Sequence, residues 1–229
     1  MASEPRVARF GATERNLHTI HGVAFTVLLG TGLALYLPMF ARVFGDRPLM
    51  KGVHLVAAVA WLTALVLVVI LGDRRALRRT RQDLERFDDD DLLWLRRRPA
   101  PHGRFNAGQK VHAILQAGLA ALFTVSGVLL WLGERDTAFR LPGTIALHDA
   151  AMFLATVLVG GHIYKALGQP GALEGISRGT VSARYAAKYH PKWRPEPLTA
   201  AVSPGAAQLA AATVVVALAI AGAVLLSAT

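Results

Sequence analysis

The sequence predicts an all-α membrane protein, a four-helix transmembrane bundle followed by a fifth C-terminal transmembrane helix. Three observations predict it. The chain is 53% apolar and only 17% charged, with a mean hydropathy of +0.39, whereas an average soluble domain carries roughly 25% charged residues. Five segments stay apolar over about 20 residues, the length that crosses a bilayer. Lys and Arg gather in alternate connections between those segments, as membrane topology requires. The 229 residues include no cysteine. That excludes a disulfide scaffold, a Cys-ligated zinc, an iron–sulfur cluster held by this chain and covalent c-type haem. The formal charge of +10 would suggest nucleic acid in a soluble protein. Here the basic residues lie between apolar runs, so the charge reads as topology and no nucleic acid is expected.

The first segment runs from about Leu17 to Leu37 and ends at Pro38, which cannot continue a helix. Its apolar core is too long for a secretory signal and no small-residue cleavage site follows cleanly, so it reads as a mature helix. The second covers about 52–72, with the run AAVAWLTALVLVVIL. The third and fourth cover about 109–132 and 143–167. The fifth, about 206–226, is almost pure Ala, Val and Leu. Pro195, Pro197 and Pro204 mark 194–205 as a linker. The expected organisation is therefore a membrane domain over 1–193, the linker, and an additional helix within 206–229.

Twenty Lys and Arg fall on one side of this arrangement: before the first helix, in 73–110, and in 165–194. Only Arg42, Arg47, Lys51, Arg135 and Arg140 fall on the other. The imbalance places the N-terminus in the cytoplasm and Thr229 outside. The connection 73–108 mixes ten arginines with Asp88, Asp89, Asp90 and Asp91. It reads as a solvated loop facing lipid headgroups, with a docking surface for a partner as the alternative.

Four of the histidines within the expected spans stand at two depths. His18 opens the first helix on the cytoplasmic side and His54 opens the second on the outer side. His148 and His162 lie near the outer and cytoplasmic ends of the fourth. Ionisable residues in a bilayer are costly and usually face an interior site. His148 and His162 are 14 residues apart, nearly four turns or roughly 21 Å, and so share a helix face. Each has a partner at its own depth, His162 with His18 and His148 with His54. Two stacked His–His pairs suit two b-type haems. A proton relay or a two-metal transport site is the alternative, and the near absence of acids in the spans disfavours transport. His21 competes with His18 as a ligand, and His112 could face a haem or a quinone. His102 and His190 read as surface groups in loops. Gly30, Gly32, Gly160 and Gly161 offer notches for a flat macrocycle or for close helix packing.

With these residues in view, the sequence resembles the cytochrome b (gamma) subunit of respiratory formate dehydrogenase. More distantly, it is similar to the cytochrome b subunit of membrane-bound nickel–iron hydrogenases. The likeness runs from about Arg15 to Trp193. It rests on RNLH (15–18), TGLALYLP (31–38), GVH (52–54), FNAGQK (105–110), SGVLLW (126–131), LHDAA (147–151), GGHIY (160–164) and GTVSARYAAKYHPKW (179–193). The resemblance implies that His54 and His148 ligate the iron of an outer haem b, and His18 and His162 that of an inner one. It implies that Asn106, Gly108 and Gln109 line a quinone pocket, with menaquinone the expected acceptor. Taken alone, FNAGQK is equally a helix cap. The implied partners are an iron–sulfur beta subunit, a molybdenum- or tungsten-containing alpha subunit of formate dehydrogenase, and membrane lipid. A hydrogenase, another molybdoenzyme or a non-redox anchor or transporter is the alternative setting. The fifth helix departs from the family pattern.

Overall fold

A computed structural model describes residues 4–37, 39–40, 45–197 and 203–227. Pro38, Arg42 and Thr229 lie outside the described residues. Among the described residues, five helices are long and apolar enough to cross a membrane: α1 (Ala12–Tyr36), α2 (Arg47–Leu71), α5 (Ala107–Arg135), α6 (Thr144–Leu167) and α9 (Ala206–Ser227). Shorter α-helices lie in the connections, among them α3 (Arg74–Glu85), α4 (Asp89–Leu95), α7 (Pro170–Arg178) and α8 (Ala183–Tyr189). Two short strands, β1 (Arg6–Ala8) and β2 (Thr180–Ser182), are hydrogen-bonded neighbours.

The first two long helices begin about five residues earlier than hydropathy suggests, because their first turns are polar and capped. At α1, Gly11 N donates to Glu14 Oε2 at 2.7 Å. At α2, Asp46 Oδ1 accepts from Leu49 N at 2.7 Å, with Pro48 in the first turn. These are the residues that satisfy the open donors of a helix start.

The connection expected as a loop over 73–108 is largely helical. Asp73 Oδ1 accepts from Arg75 N and Ala76 N at the start of α3, and Arg, Leu, Gln and Glu are good helix formers. The acidic run has a similar cause. Asp88 Oδ1 accepts from Asp91 N, and Asp91 Oδ2 accepts from Asp88 N, both at 3.0 Å. This reciprocal cap starts α4, and acids in a first turn also suit the helix dipole.

The chain divides into two compact units, and it passes from one to the other within β1, α3, α7 and β2 and again after Pro195. One unit comprises 8–80, 175–180 and 196–229. In it α1 and α2 form an antiparallel hairpin. Arg47 Nη1 donates to Leu35 O at one end, and Asp73 N donates to Thr13 Oγ1 at the other. Helix α9 packs on α2, with Gln208 Nε2 donating to Ile70 O at 2.7 Å. Gly179, at φ +80°, turns α7 into β2. A Cβ there would meet Phe10 O at 2.7 Å, so only glycine fits.

The other unit comprises 1–7, 81–174 and 181–195. Its centre is the hairpin of α5 and α6, with α4 packed against α5. Apolar side chains remain outside on the long helices of both units; Val23, Val157 and Ile220 are each at least 60% exposed. Contiguous exposed apolar surface of this kind is what lipid covers.

Candidate functional site

In the α5–α6 hairpin two contacts recur at a fixed interval. Ser126 Oγ on α5 lies 2.8 Å from His148 Nδ1 on α6. The ring of His112 on α5 stacks on that of His162 on α6, with centroids 4.7 Å apart and planes 9° from parallel. Fourteen residues separate 112 from 126, and fourteen separate 148 from 162, or about 21 Å along either helix. The two helices are thus in register at both levels.

The α1–α2 hairpin carries a matching contact. Thr31 Oγ1 on α1 lies 2.8 Å from His54 Nδ1 on α2. His18 precedes Thr31 by thirteen residues on α1, about 20 Å. Each unit therefore holds histidines at two levels some 20 Å apart, His18 with His54 in one and His148 with His162 in the other. The competing His21 has its ring 5.7 Å from that of Trp61 on α2, so it packs against an aromatic side chain within its own hairpin.

The donor chemistry fits haem. A porphyrin supplies four nitrogens itself and asks the protein only for axial groups, commonly imidazole. At His54 and His148 a hydroxyl grips one ring nitrogen and fixes the ring's orientation, as outer groups do for metal-bound histidines. A Cβ on Gly30, Gly160 or Gly161 would meet nothing within 4 Å, so the expected notches are open to a flat ring as well as to lipid.

FNAGQK opens α5 as a reciprocal cap. Asn106 Oδ1 accepts from Gln109 N at 2.9 Å, and Gln109 Oε1 accepts from Asn106 N at 3.0 Å. Trp94 of α4 stands against Gly108. A Cβ on Gly108 would lie 2.6 Å from Trp94 Cη2, so the glycine admits an indole from the same chain. Lys110 Nζ reaches Asp91 Oδ2 at 2.5 Å and Arg86 O at 2.7 Å. Asp91 is 3% exposed and the Lys110 side chain 12%, so this ion pair is largely buried.

His190 is a core residue, contrary to the expectation of a surface group. It is 4% exposed, its Nδ1 lies 2.7 Å from Gly103 O, and His102 meets it edge-on at 5.1 Å. The HPKW tail holds this corner together. Lys192 N donates to His102 O, and Lys192 Nζ pairs with Asp88 and with Asp90 Oδ2 at 2.9 Å. The hydrogen bond and charge of Lys192 hold the Asp88 carboxyl below its ordinary range. Asp88 and Asp90 together push the Lys192 ammonium up to about 12.

Sequence alone assigns no role to Thr31, Ser126 or Trp94, and takes Asp91 only as part of a charged connection. Thr31 and Ser126 head TGLALYLP and SGVLLW, so the signal present was a hydroxyl followed by glycine inside an apolar run.

Five apolar helices with histidines at two levels, held by hydroxyls and ring stacking, describe a multi-pass membrane cytochrome of the b type. The prokaryotic cytochrome b561 family matches over residues 9–171, and the chain belongs to that family. Membership implies haem b. The chain is also similar to the cytochrome b556 subunit of formate dehydrogenase from Haemophilus influenzae, at 24% identity over 84% of either chain. It is 26% identical to the cytochrome b556(fdo) subunit of formate dehydrogenase from Escherichia coli, over 84% of this chain and 94% of that one. The nitrate-inducible cytochrome b556(Fdn) subunit of the same organism is 23% identical over 84% of this chain and 92% of its own length.

Proposed function

We propose that the chain is the membrane-anchoring, electron-carrying subunit of a formate dehydrogenase complex and binds two haem b groups. His54 and His148 are the outer axial ligands, and His18 and His162 the inner ones. The observation that carries this reading is the shared interval: histidines recur about 20 Å apart along both hairpins. The names of its relatives support the complex. His18 is preferred over His21 because it belongs to RNLH and because His21 packs on Trp61.

Bound haem passes single electrons between a redox partner and a quinone. The chain's own residues supply the rest. Apolar helices keep water from the imidazoles, and the hairpins hold the two levels apart. The side-chain amides of Asn106 and Gln109, at the start of α5, offer donors to a quinone carbonyl, with Gly108 and the Trp94 indole beside them. Menaquinone is the proposed acceptor. An iron–sulfur beta subunit meets the chain on the outer face and links it to a molybdenum or tungsten alpha subunit. The N-terminus lies in the cytoplasm, and the dehydrogenase chemistry belongs to the other subunits.

A reduced-minus-oxidised spectrum and a haem count on the purified full chain test this. The expected result is a b-type α band and two haems per chain. His162→Ala should remove the inner haem and spare the outer, and His148→Ala should do the reverse. Two haems retained in both variants would overturn the ligand assignment.

A further inference from the structure

We propose that Thr31 and Ser126 are positioning residues that hold His54 and His148 in the Nδ1-protonated tautomer and thereby lower the potential of the outer haem. The proposal rests on the reading of these two histidines as haem ligands.

A hydroxyl has one proton and two lone pairs, whereas a backbone carbonyl only accepts. Thr31 Oγ1 has Val27 O at 2.9 Å and Leu28 O at 3.2 Å. Ser126 Oγ has Leu122 O at 2.7 Å and Phe123 O at 3.4 Å. In each case the single proton goes to the carbonyls of the preceding turn. The oxygen then faces the imidazole with lone pairs alone, so the ring nitrogen 2.8 Å away must be the donor. The imidazole proton is therefore on Nδ1, and Nε2 is the atom that can ligate iron. The hydroxyl at His148 belongs to a residue only 1% exposed, where solvent does not compete.

The same device occurs twice, once in each unit, on different helices and at the same histidine atom. In both cases glycine follows the hydroxyl residue, at Gly32 and Gly127. A Cβ on Gly127 would already stand 3.8 Å from His148 Cε1, so the ring lies directly over the glycine. At the inner level the ring of His162 is stacked on that of His112. Ring-nitrogen lone pairs lie in the ring plane, so that stacking contact constrains orientation and not proton position. At the outer level the tautomer is set by hydroxyls. An Nδ1–H that donates to oxygen enriches the ring in electron density. It makes Nε2 a stronger donor, which favours ferric iron.

The test is a redox titration of the full chain in native membranes, followed spectroscopically, for Thr31→Val, Ser126→Ala and the double variant. Haem is counted first. A wild-type chain without b-type haem would defeat the ligand reading itself, before any variant is compared. With two haems bound, each single variant should reduce the ferric-to-ferrous ratio of one haem at a fixed potential by roughly three- to tenfold. The double variant should exceed either, the other haem should not move, and Thr31→Ser should behave as wild type. Selective loss of one haem in the double variant would support the proposal equally. Two haems with unchanged potentials in the double variant would overturn it, as would a shift at both haems or one that Thr31→Ser reproduces.

Discussion

Asn106 and Gln109 show how one side chain can serve a fold and a ligand at once. Their amide oxygens close the cap of α5, and their amide nitrogens are the ends proposed for a quinone. Asn106→Asp and Gln109→Glu keep the oxygens and remove the nitrogens. Both variants should retain their haems and thermal stability, while haem reoxidation by a quinone analogue slows roughly three- to tenfold. Stopped-flow reoxidation measures this, and an unchanged rate in the double variant would reduce FNAGQK to a cap. Leucine at Asn106 would confuse the two effects, since losing an N-cap alone costs about 1 kcal/mol. The histidines at this scale were legible in the sequence because an ionisable residue in an apolar run is conspicuous. Thr31 and Ser126 were not, because an isolated hydroxyl is ordinary in a membrane helix. Its partner lies across a hairpin, 23 residues away at Thr31 and 22 at Ser126. The neighbour of Gly108 was hidden for the same reason: nothing near it in sequence announces Trp94.

The five long helices were legible because hydropathy integrates over many residues. The short ones were hidden by charge. In α3 and α4 the sequence offers arginines and aspartates, which signal solvent, while the caps and helix propensities that organise them act over only a few residues. The acidic run has a further use, since Asp91 ties α4 to α5 through Lys110. Removing one member of a buried pair costs about 3–5 kcal/mol, because the other charge is left stranded. Asp91→Ala should therefore lower the thermal unfolding temperature of the detergent-solubilised chain markedly, and Asp91→Leu combined with Lys110→Met should recover most of the loss. Asp88→Ala should cost less, about 1 kcal/mol for the lost cap of α4, because the Asp88–Lys192 pair is 52% and 39% exposed and exposed pairs add only about 0–1 kcal/mol.

For the molecule as a whole, twenty basic residues on one side and five on the other argue for a cytoplasmic N-terminus and an external C-terminus. A C-terminal reporter active only in the cytoplasm should stay silent. Ending the chain at Pro195 should make such a reporter active and leave both haems in place, because all four proposed ligands precede the linker. Loss of haem on truncation would show that α9 supports the ligand helices. The contact between α9 and α2 also has a consequence for biogenesis. Leu71 ends α2 and Ala206 begins α9, so 134 residues must be synthesised between them. At 5–20 residues per second that takes roughly 7–27 s. During that interval the α1–α2 hairpin sits in the bilayer with Ile70 O awaiting its donor. A ribosome stalled in the linker would leave that face of α2 to the insertion machinery or to a stray helix, so the final segment acts as a timed seal on a hairpin made much earlier.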